Sequence, residues 1–131
     1  MAAKLFAYLS YHDAPRALEW LTAIGFVIVR KQTGDDDDTI VHSEVRSGDT
    51  VLMVASNDQA YQHPPLLGQS TGAGLYLLVE DVEAIYQQAV TAGATPVFGP
   101  ERTEWGSLRA RVLDIEGYEW SFGTYAPGAE W

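Results

Sequence analysis

The sequence predicts an α+β fold made of two tandem βαβββ modules, and three observations predict it. Asp13 opens an apolar-periodic stretch that stops at Gly25, and Asp81 opens another that stops at Gly93. The two copies lie 68 residues apart, so one fold unit is written twice in 131 residues. An alternating, strand-like stretch precedes each copy, and turn-punctuated strand signals follow each.

In module one, about residues 4–55, Leu5–Tyr11 is the first strand. Leu5, Ala7 and Leu9 share one face; Phe6, Tyr8 and Ser10 share the other. Asp13 is a good N-cap, and Pro15 is tolerated in a first helical turn. Ala14, Ala17, Leu18, Leu21 and Ile24 form the apolar stripe, and Gly25 suits the left-handed residue that ends a helix. Phe26–Lys31 reads as a strand, 32–38 as a loop, and Ile40–Arg46 and Thr50–Ala55 as a hairpin around Ser47-Gly48-Asp49. Asp35 to Asp38 lack the alternation and glycine of a calcium loop, so they read as a solvated loop tip. The Gly- and Pro-rich stretch 56–74 reads as a linker, with His63–Leu67 placed over the mouth of a cleft.

Module two, about residues 75–126, repeats the order and leaves a short C-terminal tail. Leu75, Leu77 and Val79 repeat the apolar strand face, and Val82, Ile85 and Ala89 the buried helix stripe. Thr95–Phe98, Leu108–Leu113 and Tyr118–Tyr125 are the remaining strands.

Composition excludes several functions. A net charge of −10 with eight Lys and Arg argues against nucleic acid, whose phosphates need clustered cations. No run approaches the roughly 20 apolar residues of a membrane helix. The N-terminal residues carry no signal-peptide pattern, and cysteine is absent, so the expected location is the cytoplasm. The acidic surface keeps the protein soluble and would also attract cationic small molecules.

Several segments together resemble the vicinal oxygen chelate superfamily, in its glyoxalase/bleomycin resistance, PhnB-like branch. They are Tyr-His-Asp-Ala-Pro-Arg-Ala-Leu-Glu-Trp-Leu (11–21) before Gly25-Phe26, His42–Asp49, Val82-Glu83-Ala84 with Ala92-Gly93-Ala94, Trp105–Arg109 and Asp114–Tyr125. The resemblance implies a cup-shaped mixed sheet flanked by helices, and a homodimer. It also implies a divalent ion in the family's metal enzymes, held by four side chains from the first and last strands of each module. Aligning on the helices and turns puts those positions at Phe6, Leu52 (or Met53, one residue on), Gly74 and Ser121. Phe6, Leu52 and Gly74 carry no donor and Ser121 only a neutral hydroxyl, whereas such an ion needs carboxylates or imidazoles. The expectation is therefore no metal and no cofactor, and a small-molecule-binding protein of the bleomycin-resistance type that sequesters an aromatic or cationic toxic compound or antibiotic. The alternative is a metal-dependent or acid–base enzyme (lyase, isomerase or dioxygenase) with a shifted site.

Period-two alternation assigns Phe6, Tyr8, Leu52, Val54, Tyr76, Leu78 and Ser121 to the ligand side of the cup. Trp105 stands at its rim, and Arg109 and Arg111 share a face from which they can meet a carboxylate or carbonyl. Core packing of the aromatics and solvation of the arginines are the alternatives. His42 and Glu44 share a strand face and are the weak catalytic candidates; a hydrogen-bonded structural pair is the simpler reading.

Overall fold

The computed structural model describes residues 2–59 and 72–128. The chain divides into two units, Met1–Gln62 and His63–Trp131. His63–Leu67 lies outside the described residues.

Unit one holds β1 (Ala7–Tyr11), α1 (Ala14–Ala23), β2 (Val27–Thr33), β3 (Ile40–Ser47) and β4 (Thr50–Ser56). Unit two holds β5 (Gly74–Leu78), α2 (Val82–Thr91), β6 (Thr95–Arg102), β7 (Leu108–Leu113) and β8 (Glu119–Gly123). The sheets run β1-β4-β3-β2 and β5-β8-β7-β6, each with one parallel pair at one edge and antiparallel pairs beyond it. The α+β class and the repeated βαβββ order are as the sequence predicts.

The repeat extends to individual hydrogen bonds. Asp13 accepts the Arg16 backbone N–H at 3.1 Å, and Asp81 accepts that of Ala84 at 3.0 Å. Each helix then closes through a glycine with positive φ, 112° at Gly25 and 118° at Gly93. Beyond those glycines, Phe26 N–H bonds the Leu21 carbonyl and Ala94 N–H bonds that of Ala89, both at 3.0 Å. A left-handed residue there satisfies carbonyls that the helix end would otherwise leave open.

Each core lies between the helix and one face of its own sheet. Trp20, Leu21, Val45 and Val54 are buried in unit one, and Val82, Val112, Trp120 and Phe122 in unit two. Ser43 is also buried and donates its hydroxyl to the Val54 carbonyl at 2.5 Å. In unit two, buried Asp114 accepts the Trp120 indole N–H and the backbone N–H groups of Glu116 and Tyr118, each at 3.0 Å.

Two expectations about β4 are corrected. Leu52 and Val54 do not face a ligand: they are 5% and 0% exposed, on the core side with Val45. The reason is the turns. Ser47 pairs directly with Thr50, whereas the stretch 114–118 intervenes between Leu113 and Glu119. Counting from the turn glycine therefore lands on opposite faces in the two units, and a one-residue shift turns a strand over. Met53, which pairs with Tyr8 as Ser121 pairs with Tyr76, takes the open-face place in unit one.

Strand limits also shift. β6 runs on to Arg102 through Pro96, Gly99 and Pro100, with register shifts on both sides of Phe98. It is an edge strand, where prolines cost no central ladder bond.

Candidate functional site

Across the open face of the unit-two sheet, Tyr76, Ser121, Arg111 and Phe98 stand in register on four neighbouring strands. Beside this row lies a cavity of about 330 Å³ lined also by Thr103, Trp105, Ser107, Leu108, Arg109, Phe122 and Tyr125. All of these residues belong to unit two.

Local chemistry positions each wall. Tyr76 lies along β8 because Gly123 has no side chain; a Cβ there would come within 2.5 Å of the phenol oxygen. The phenol donates to the Tyr125 carbonyl at 2.6 Å. Burial pushes the Tyr76 hydroxyl above its ordinary value of 10.0, so it remains a proton donor. Trp105 sits in the turn between β6 and β7. Thr103 and Ser107 close that turn with a backbone bond at 2.9 Å, a hydroxyl pair at 2.8 Å and a Ser107 N–H to Thr103 Oγ1 bond at 3.1 Å. Gly106, with φ 85°, makes the bend possible. The indole is held by its backbone yet remains 60% exposed, an aromatic surface without a cover among the described residues.

Arg109 and Arg111 each stand 5.2 Å from the centre of the Phe98 ring, a cation–π distance. Their charges are partnered differently. Arg109 places Nε and a terminal nitrogen on Glu101 Oε1, both at 3.0 Å. Arg111 donates Nε–H to the neutral Ser121 hydroxyl at 2.9 Å, while Glu119 Oε1 lies 3.8 Å from its Nη1.

The structure thus brings Tyr76, Trp105, Arg109, Arg111 and Ser121 together at one cavity. Leu78 is exposed on the same strand face as Tyr76 but does not line it, and Phe6 and Tyr8, both half-exposed, belong to unit one. Sequence reading missed Phe98, Thr103, Ser107, Leu108, Phe122 and Tyr125. Phe98 falls in the strand the sequence predicts, but the register shifts on both sides of it hide its pairing with Arg111.

His42 Nε2 and Glu44 Oε2 are 2.7 Å apart on the unit-one sheet, each about a third exposed. The hydrogen bond from His42 holds the Glu44 carboxyl below its usual 4.5, and nearby Arg30 pulls the same way.

The donor set does not fit the divalent ion of the family's metal enzymes. Phe6, Met53 and Gly74 present no oxygen or nitrogen side-chain donor, and the Ser121 hydroxyl is engaged by Arg111. At the Gly74 corner a Cβ would fall 2.5 Å from Glu119 Oε2, so that carboxylate occupies the space another ligand would need. Among the described residues no three His, Cys, Asp or Glu side chains converge.

Comparison with known proteins agrees with this architecture. The chain belongs to the glyoxalase/bleomycin resistance protein/dioxygenase superfamily, whose model matches residues 6–122. An uncharacterised protein of Mycobacterium bovis is 31% identical over 91% of this chain and 81% of its own length. Among solved structures, TioX from Micromonospora sp. ML1 superposes with a TM-score of 0.72 at 26% identity, covering 98% of this chain and 100% of that one. A bleomycin-binding protein solved in complex with bleomycin shares the fold, with a TM-score of 0.62 at 20% identity over 95% and 100% of the two chains. Among the described residues no helix is long and apolar enough to cross a membrane.

Proposed function

We propose that this protein is a metal-independent binding protein that sequesters a flat aromatic compound in the unit-two cavity. The observation that carries the reading is the pairing of an exposed indole, Trp105, with Phe98 and Tyr76 around a cavity large enough for a fused-ring molecule. Stacked rings contribute mainly by burying ligand surface, about 1–3 kcal/mol for each well-covered ring. The bleomycin complex of a fold relative supports capture of an organic molecule by this architecture. A toxic compound or antibiotic is the proposed cargo, the cytoplasm the proposed location and a homodimer the proposed assembly. The two arginines in the lining favour a neutral or anionic cargo over a cationic one.

The test is calorimetric titration of planar aromatic compounds into protein dialysed against EDTA. Binding below about 100 μM that weakens roughly tenfold in Trp105→Ala is expected. Stoichiometric metal that survives dialysis and is needed for binding would overturn the reading, as would a panel with no binder.

The His42–Glu44 contact favours one second reading, acid–base catalysis on a carbonyl compound at the unit-one sheet. It requires turnover by EDTA-treated protein that disappears in His42→Gln.

A further inference from the structure

We infer that the cargo is an aromatic acid whose carboxylate is bound by Arg111. This rests on the cavity being the binding site, and it adds the chemical class of the ligand.

The two arginines of the cavity are not equivalent. Arg109 directs two nitrogens onto one carboxylate oxygen, so its charge is already met by Glu101. Arg111 hydrogen-bonds only through Nε, to an uncharged hydroxyl, and its ion pair with Glu119 is a long one. Its nearest carboxylate, at 3.8 Å, lies beyond hydrogen-bond reach, so among the described residues its terminal nitrogens have no hydrogen-bonded acceptor. A guanidinium stays charged and offers parallel N–H groups that match a carboxylate edge to edge.

The fork is also held in place. Ser121 fixes Nε from the neighbouring strand, and the Phe98 ring at 5.2 Å supports the guanidinium from β6. Such anchoring lowers the side-chain entropy lost on binding. Around this charge the cavity offers ring surfaces, Phe98 and Trp105, while the Tyr76 hydroxyl is engaged by Tyr125. One charged acceptor on a flat apolar body satisfies both features. An aromatic cation would satisfy the rings and meet repulsion from the guanidinium.

Three probes of one shape separate the possibilities: 2-naphthoate, 2-naphthamide and 2-naphthylmethylammonium, titrated calorimetrically into the full metal-free chain. The wild type is expected to prefer the acid over the amide by about tenfold or more, as a charge-assisted bidentate pair warrants. Arg111→Gln should abolish the preference by weakening the acid alone, and Arg111→Lys should restore only part of it. Arg46→Gln, an exposed cation of unit one, should leave it intact. Equal affinity for acid and amide in the wild type overturns the inference and leaves aromatic capture standing. Preference for the ammonium probe also overturns it. If none of the three binds, both the inference and the proposed function fall. The wild-type comparison needs no variant, so a misfolded mutant cannot obscure the answer.

Discussion

Gly123 shows how a single atom shapes the cavity. Its missing Cβ lets the Tyr76 ring lie over β8, where the phenol reaches Tyr125. Gly123→Ala puts a methyl 2.5 Å from the phenol oxygen and 3.0 Å from two ring carbons, so the ring must move. We expect about 1–3 kcal/mol of lost stability in urea unfolding and a weaker aromatic ligand. Unchanged stability and binding would mean that the ring moves aside freely. At Glu44 the prediction concerns pH. The carboxyl releases its proton more readily when folded, chiefly because His42 bonds it, so folding favours the ionised form. The resulting stabilisation is present above the ordinary value of 4.5 and is lost as pH falls through the lower folded value. The melting-temperature gap between wild type and Glu44→Gln should be open above that value and close below it. A gap that grows in acid would contradict the assignment.

At the scale of elements, the helices were the most legible part of the chain. Asp caps and closing glycines are local devices, and both copies are built as the sequence implies. Asp13→Ala and Asp81→Ala should each cost about 1 kcal/mol, because each removes one acceptor for a helix N–H group. Chemical denaturation checks both, and an effect in one copy alone would deny that the caps are equivalent. Strand parity was less legible. It depends on how many residues a turn consumes, and the turns around Gly48 and Gly117 differ, which is why Leu52 and Val54 were placed on the wrong face. β6 was cut short at Phe98 because Gly99 and Pro100 read as breakers, although at a sheet edge they are tolerated. Phe98, the ring on which both arginines rest, was inside the predicted strand, but the register shifts beside it concealed its pairing with Arg111. Partnering was invisible too: nothing in the order of residues says that Glu101 meets Arg109 at 3.0 Å while Glu119 stays 3.8 Å from Arg111.

For the whole molecule, one fold unit written twice has diverged in what its open face carries. The in-register row in unit one is Tyr8, Met53, Glu44 and Arg30; in unit two it is Tyr76, Ser121, Arg111 and Phe98. The tyrosine is kept, while the acid of one row is replaced by a cation in the other. Only the second row borders the aromatic cavity described above. The central claim is that this cavity captures an aromatic molecule without a metal. Backbone amide NMR of EDTA-treated protein, titrated with 2-naphthoate, tests it most directly. The account predicts that the largest shifts fall on Tyr76, Phe98, Trp105, Arg111 and Ser121. Shifts centred on His42 and Glu44, or a response seen only after a divalent ion is added, would contradict it.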